Sequence, residues 1–309
     1  MNLRLLLFVL PLAACAGAPD PPVQGQKDPE LKKHFQELVK KDSERHDYNR
    51  GLIMLDQLMS SYAKALGYRG DGAKDREAEK VERHIQALVK EHYDALKVTA
   101  ADAAVPANQG IALAALGFSG QTEAMPIILQ GAQLGDPFLV DRAVFGLAML
   151  SDPETPPGVL MQIAEDSKRS EESRAQATWT LYRLQGATTH PEPVIEFWQQ
   201  LLQPKDPPLP PSVLLSAIRG LGFTHDAKYA DIVARYVTHP TPQLRIGAAT
   251  ALGRMNAQKY AEALLALLGP AELNANVRLA AHHALKALAG GVDRGYDVDA
   301  WRKTFQRDG

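Results

Sequence analysis

The chain has 309 residues, of which 45% are hydrophobic and only 6% aromatic. This Ala- and Leu-rich composition favours helices over strands, and the length suits either one large core or an elongated array of repeats. Lysine and arginine total 34, against 36 aspartates and glutamates. Because this balance creates no broad positive field, nucleic acid is excluded as an expected partner.

The first residues have the pattern of an export signal. Arg4 precedes an apolar stretch from Leu5 to Ala14, which is too short to span a bilayer but has the length of the apolar region of a signal peptide. Cys15 follows it and is the only cysteine of the chain. Neither a disulfide nor a thiolate metal site therefore competes for this thiol. Residues 15–29 are rich in Pro, Gly and Ala and are expected to form a flexible tether.

The segment Leu12-Ala13-Ala14-Cys15 resembles the lipobox of bacterial lipoproteins. The resemblance implies that residues 1–14 are removed as a signal peptide and that lipid is attached to the thiol of Cys15, which would make a stable membrane anchor. In such lipoproteins an aspartate directly after the lipidated cysteine keeps the protein at the inner membrane. This chain has Ala16 there, which implies sorting to the outer membrane, facing the periplasm. An ordinary signal peptide with a nearby Ala-x-Ala cleavage site is the alternative.

An Ala-x-x-x-Leu pattern on helical stretches occurs six times further along the chain. Its leucines lie 31, 34, 40, 31 and 33 residues apart, a spacing typical of two antiparallel helices per unit, and the longest step contains the Pro-rich insert 204–211. A second amphipathic segment lies between successive pairs, so each unit is predicted to be helix A, a turn and helix B. The pairs are Ala112/Leu116, Ala143/Leu147, Ala177/Leu181, Ala217/Leu221, Ala248/Leu252 and Ala281/Leu285.

These units resemble HEAT repeats, most closely at residues 243–253 (QLRIGAATALG) and 276–285 (NVRLAAHHAL). The resemblance covers about residues 107–290 and implies an all-α fold, namely an α-solenoid of HEAT-like helix pairs of the armadillo type. Because an open stack exposes apolar ends, residues 30–106 are expected to form an N-terminal helical cap. Residues 291–309 are expected to form a capping helix in which Trp301 covers the last apolar face.

The positions two before and two after each anchor leucine are predicted to point away from the core, since each helical residue turns by ~100°. In HEAT geometry that side is the concave wall. Here it carries aromatic and arginine side chains, which dominate binding hot spots. If the N-terminal helices fold back over this wall, the aromatic side chains are instead part of the core. The candidate partner-binding residues are Phe118, Phe145, Met149, Trp179, Arg183, Arg219, Phe223 and Arg254.

A second arginine series, Arg174, Arg245 and Arg278, lies three residues before the repeat alanine. This recurrence at the edge of the core stripe predicts a ladder of structural hydrogen bonds between units rather than a substrate site.

The sequence contains none of the catalytic motifs sought. It has no His-Glu dipeptide of the kind that binds iron in a HEAT-like hydroxylase, and no Gly-x-Ser-x-Gly elbow, phosphate loop or His-Glu-x-x-His segment. We therefore expect no enzymatic activity, no metal and no cofactor. The leading hypothesis is a lipid-anchored envelope scaffold that binds a protein partner, and the alternative is a binder of peptidoglycan or of an anionic polysaccharide. A HEAT-like enzyme is the least favoured function, and the oligomeric state stays open.

Overall fold

The computed structural model describes residues 29–66 and 72–307. The chain divides into two units, residues 1–47 and 48–309. The predicted signal peptide, Cys15 and the tether up to residue 28 lie outside the described residues. Within these residues there is no strand, and no helix has the length and apolar character needed to cross a membrane. The prediction of an all-α fold is confirmed.

The helices follow one another along the chain with short connections. Their bounds are α1 (Pro29–Leu66), α2 (Gly72–Glu91), α3 (Tyr93–Ala101), α4 (Pro106–Leu116), α5 (Met125–Gly131), α6 (Pro137–Leu150), α7 (Gly158–Glu165), α8 (Glu171–Gln185), α9 (Glu192–Leu201), α10 (Pro211–Phe223), α11 (Ala230–Ala234), α12 (Pro242–Arg254), α13 (Ala261–Leu268), α14 (Ala275–Leu288) and α15 (Val298–Arg307). Short 3₁₀ turns precede α5, α11 and α13.

Six of these helices carry the repeated Ala/Leu pairs and are termed B helices: α4, α6, α8, α10, α12 and α14. The helix before each of them is its A helix. Every B helix packs against its own A helix and against the next B helix. All twelve anchor side chains are 0% exposed, so the periodicity of the sequence identified the centre of the core correctly. The resulting stack of helix pairs is an α-solenoid.

Local sequence determines where several B helices begin. A proline lies in the first turn of four of them: Pro106 in α4, Pro137 in α6, Pro211 in α10 and Pro242 in α12. Backbone N–H groups in the first turn have no partner within the helix, so a proline, which lacks this group, loses no hydrogen bond there. Asp136 also caps α6, because its carboxylate accepts a hydrogen bond from the N–H of Phe138 at 2.9 Å.

Small residues allow neighbouring B helices to approach closely. In three of the interfaces the residue directly after one anchor leucine faces the residue directly before the next anchor leucine. A Cβ atom built on the first glycine of each pair would overlap backbone or Cβ atoms of the facing residue. Any larger side chain at these positions would therefore push two helices apart. The facing pairs are Gly117–Gly146, Gly222–Ala251 and Gly253–Ala284.

The second arginine series is structural, as predicted, but its bonds are arranged differently. Nε of Arg174 and of Arg278 donates to a carbonyl oxygen near the end of its own A helix, at 2.9 and 3.3 Å. These two arginines therefore join helices within a pair rather than between pairs. Only Arg245 reaches the following unit, through two hydrogen bonds of 2.8 and 2.9 Å to Glu272. These bonds are the main reason why the pKa of Glu272 is lowered.

The last helix closes the C-terminal end of the stack. Trp301 of α15 is 0% exposed, its Nε1 donates to the carbonyl of Gly295 at 2.8 Å, and its ring stacks on Phe305. Because α15 packs against α13, it covers apolar surface that the last helix pair would otherwise expose.

The helix contact at Gly146 yields a stability prediction. We expect Gly146→Ala to lower the free energy of unfolding by ~1–3 kcal/mol, because the added methyl group meets the Leu113 carbonyl and Ile128. Gly158→Ala is the matched control, since a Cβ there meets no atom within 4 Å. Urea unfolding followed by circular dichroism measures both. Equal effects of the two substitutions would contradict close packing of α4 against α6.

Candidate functional site

The B-helix wall, defined as the residues two before and two after each anchor leucine, changes in exposure along the chain. In α4 its residues are buried, and in α6 and α8 they are half-buried. In α10, α12 and α14 they are exposed. The exposed residues, termed the open wall, are Arg219, Phe223, Thr250, Arg254, His283 and Ala287.

The N-terminal part of the wall is covered by the second half of α1, residues 48–66. Tyr62 packs edge to face on Phe118, with ring centroids 5.4 Å apart, and Phe118 is only 6% exposed. Phe145 lies beside Phe118 at a centroid distance of 6.0 Å. Met149 is half-buried in a smaller cavity that Phe118 and Tyr62 also line. Phe118 is therefore a core residue of the folded chain.

Residues 48–66 lie on the wall as an amphipathic helix, which the sequence analysis did not identify. Leu52, Leu55, Met59 and Tyr62 are all buried, and their spacing of three or four residues places them on one helical face. An ion pair between Asp56 of this helix and Arg142 of α6, at 2.8 Å, adds to the contact. The spacing of these four residues was the signal that could have revealed the covering helix.

A cavity of about 1040 Å³ lies between this part of α1 and the B helices α6, α8 and α10. Four predicted site residues line it: Phe145 of α6, Trp179 and Arg183 of α8, and Arg219 of α10. Further lining residues that the sequence analysis missed are Met59, Ser60, Ala63, Leu66, Phe138, Asp141, Arg142, Gln176 and Tyr182. The lining combines aromatic rings with guanidinium groups.

Helix α8 departs from the small-residue pattern at this cavity. Tyr182, rather than a glycine, follows the anchor Leu181, and its ring packs edge to face against Phe223 of α10. Arg183 lies over the ring of Trp179 at 5.5 Å, and its Nε donates to the carbonyl of Ala148 at 2.7 Å. Arg183 thus joins α8 to the end of α6 and has a structural role besides lining the cavity.

The open wall carries two arginines, Arg219 and Arg254. No carboxylate within the described ranges forms an ion pair with either of them. Arg219 has solvent access, but the surrounding protein removes enough of its hydration to lower its pKa, and the positive charge of Arg254 lowers that pKa further, whereas Tyr182 opposes the shift. An arginine stays protonated nonetheless, so this part of the wall holds uncompensated positive charge. Phe223, 41% exposed, lies next to it.

A separate cluster surrounds His282 near the C-terminus. Its Nε2 lies 2.7 Å from Oδ1 of Asp293, which also accepts a hydrogen bond from the N–H of Gly295, and Lys286 donates to Oδ2 of the same carboxylate. The His282 ring stacks on Tyr296. These contacts, above all the hydrogen bond from His282, lower the pKa of Asp293 and fix the turn before α15. In the part of the chain that the structure describes, no three His, Cys, Asp or Glu side chains are grouped to hold a metal ion.

The two ends of the wall should respond differently to truncation. We expect Phe118→Ala to lower the free energy of unfolding by roughly 3–5 kcal/mol, because it leaves a cavity under Tyr62. Phe223→Ala should cost less, roughly 1–2 kcal/mol, because Phe223 is 41% exposed and loses mainly its edge-to-face contact with Tyr182. Urea unfolding of the two variants and of the unmodified chain measures these differences in the free energy of unfolding. A small effect at Phe118 would mean that α1 does not cover the wall in solution.

The profile of HEAT repeats matches residues 195–286, from α9 into α14. No curated protein matches the sequence. Among solved structures, the designed armadillo repeat protein YIII(Dq)4CqI is similar to 62% of this chain over 98% of its own length, with 15% identity and a TM-score of 0.45.

Two natural proteins are similar over more of the chain. The complex of CpcE and CpcF of phycocyanin lyase from Nostoc sp. PCC7120 covers 77% of this chain and 90% of its own, with 19% identity and a TM-score of 0.39. Human deoxyhypusine hydroxylase in complex with glycerol covers 82% and 98%, with 16% identity and a TM-score of 0.29. At these TM-scores the similarities carry no argument about function. The HEAT match lies within the six stacked helix pairs, whose fold is an α-solenoid of HEAT-like units.

Proposed function

We propose that this chain is a lipid-anchored scaffold of the cell envelope that binds an acidic segment of a protein partner through the open wall. The observation that carries this proposal is the pair Arg219 and Arg254, which lie on the consecutive B helices α10 and α12. Neither has a carboxylate partner among the described residues. A partner that brings carboxylates would supply the missing counter-charge.

The open wall is preorganised for such a contact. The helices that carry it are fixed by anchor residues with 0% exposure and by the close contacts of Gly222 and Gly253 with the following helix. Aromatic side chains lose little conformational entropy on binding, and the planar guanidinium group of arginine presents its donors in a fixed geometry, which is why such residues often dominate an interface. Phe223 provides the apolar contact next to Arg219.

The envelope location is proposed from the N-terminal sequence. The lipobox-like segment Leu12-Ala13-Ala14-Cys15 supports lipid attachment at Cys15, and residues 15–29 would hold the repeats away from the membrane. Ala16 supports the outer membrane, with the solenoid facing the periplasm. In this arrangement the partner is an envelope protein.

Site-specific photo-crosslinking in intact cells tests the scaffold proposal. A photoreactive amino acid at Thr250 should give one discrete protein adduct, because this exposed residue lies one turn before Arg254 on α12 and occupies the wall position that Arg219 has on α10. Arg219→Ala combined with Arg254→Ala should reduce the adduct at least tenfold, since both charge-assisted contacts are lost. Arg235→Ala is the control, because Arg235 is an exposed arginine directly after the A helix α11.

An adduct that persists in the double variant would contradict the role of the two arginines. Absence of any protein adduct, together with sedimentation of the chain with purified cell walls, would favour the polysaccharide alternative over a protein partner.

Metabolic labelling with palmitate tests the anchor. The full-length chain should incorporate label and remain in the membrane fraction after washing with high salt, because several buried acyl chains make attachment effectively permanent. Cys15→Ser should carry no label and should be released. Labelling that persists in Cys15→Ser, or a wild-type chain without label, would contradict lipidation at this position.

A further inference from the structure

We propose that the cavity between α1 and the B helices α6, α8 and α10 receives an amphipathic helix of the partner that carries carboxylates on one flank. This inference rests on the proposed function and specifies the form of the acidic segment. The partner helix would lie beside residues 48–66, with its apolar face on Trp179 and Phe145 and a carboxylate at Arg219.

The chain itself shows how this wall accommodates a helix. Residues 48–66 carry a buried stripe of Leu52, Leu55, Met59 and Tyr62, and the ring of Tyr62 packs on Phe118 of the wall with centroids 5.4 Å apart. On the flank of that stripe, Asp56 pairs with Arg142 at 2.8 Å. The wall therefore already packs, within its own fold, against a helix that has an apolar stripe and a carboxylate on its flank. The neighbouring cavity repeats the same features, with aromatic rings next to an arginine.

The size of the cavity fits more than one side chain. Its volume of about 1040 Å³ lies at the upper end of the range for pockets that enclose a drug-sized ligand, roughly 300–1,000 Å³. Half-buried Phe145 and Trp179 supply apolar contact, and the exposed Ala63 of α1 forms the opposite side. Several consecutive side chains of one helical face would fill this space.

A helix suits the site better than an extended segment. An extended chain brings unpaired N–H and C=O groups that need partners on the wall. The aromatic rings and guanidinium groups of the cavity offer no acceptor for such N–H groups, and the side chains there that can accept are those of Ser60, Asp141, Gln176 and Tyr182. A helix pairs its own backbone groups and needs only side-chain contacts.

The charge of the site selects an acidic helix. The cavity is lined by three arginines and by one carboxylate, that of Asp141, one oxygen of which accepts a hydrogen bond from the hydroxyl of Ser173 at 2.9 Å. Arg142 is paired with Asp56, whereas Arg219 forms no ion pair with Asp141 or with any other carboxylate of the described residues. The groove has already removed part of the hydration of Arg219, which lowers its pKa, so a carboxylate bound there would displace less water than one at a fully hydrated arginine.

Binding of designed peptides tests the proposal. The probe is a fluorescein-labelled peptide of about 15 residues made of Leu, Ala and Glu, with leucines at helical spacing and glutamates on one flank. A second peptide of the same composition has two central prolines that prevent a helix, and a third has lysines in place of the glutamates. Anisotropy measures the affinity of the full chain for each peptide.

Trp179 reports where the helical peptide binds. The other two tryptophans, Trp198 and Trp301, are 0% exposed, so a change in tryptophan emission on binding comes mainly from Trp179. Trp179→Phe provides the blank for this signal. A shift in emission that is absent from the blank places the peptide in the cavity.

We expect the acidic helical peptide to bind at least tenfold more tightly than the proline and lysine peptides. Arg219→Glu should weaken it at least tenfold and favour the lysine peptide, whereas Arg235→Glu should leave its affinity unchanged. Ala63→Trp should block it by filling the cavity, and unchanged urea unfolding of that variant would exclude misfolding as the cause.

Equal binding of the helical and proline peptides would falsify the helix inference and leave the acidic-segment scaffold intact. If the helical peptide does not bind, the inference is also wrong. The scaffold proposal fails separately, when the adduct at Thr250 does not depend on Arg219 and Arg254.

Discussion

The close approach of neighbouring B helices is the constraint on which the rest of the structure depends. It requires a glycine or alanine on each side of the contact, as at Gly117 and Gly146 or at Gly253 and Ala284. With the backbones so close, the anchor alanines and leucines of consecutive units are excluded completely from solvent. Close packing of this kind resists change in volume, because interiors are packed as densely as organic crystals. The wall that the B helices present is consequently a rigid surface.

The cavity lies beside α8, where the small-residue pattern differs. The residue after the anchor leucine of this helix is Tyr182 rather than a glycine, and its ring packs on Phe223 and lines the cavity. Trp179 and Arg183 of the same helix also line the cavity, with Arg183 over the ring of Trp179. Helices α8 and α10 still pack against each other, so the bulky residues of α8 line the cavity without separating the two helices.

Repetition made much of the fold predictable from sequence. The Ala-x-x-x-Leu period marked all six B helices because an anchor that is buried against both neighbours tolerates little variation in size. The open wall was also predictable at Arg219, Phe223 and Arg254, since these positions follow from the angle between them and the anchor leucine. In this part of the chain, the residues that helical periodicity places away from the core are the ones that the structure shows to be exposed.

The covered end of the wall could not be predicted by the same rule. Phe118 occupies a wall position, yet it is buried because Tyr62, more than fifty residues earlier in the sequence, packs on it. Helical periodicity states which way a side chain points but not whether a distant segment lies over it. The arginine series shows the same limit: the spacing of Arg174, Arg245 and Arg278 indicated a structural role, whereas their acceptors depend on turn geometry that the spacing does not contain.

The electrostatics of the open wall bear on how a partner would be recognised. The whole chain has a formal net charge of −2, so an acidic partner would gain no long-range attraction, and exposed charges are screened within about 8 Å at physiological ionic strength. The positive charge of Arg219 and Arg254 therefore acts only once the partner is in contact. Under this condition the arginines would mainly slow dissociation rather than speed association. Selection would then depend on the fit of a carboxylate at Arg219 together with apolar contact at Trp179, which a merely acidic surface does not provide.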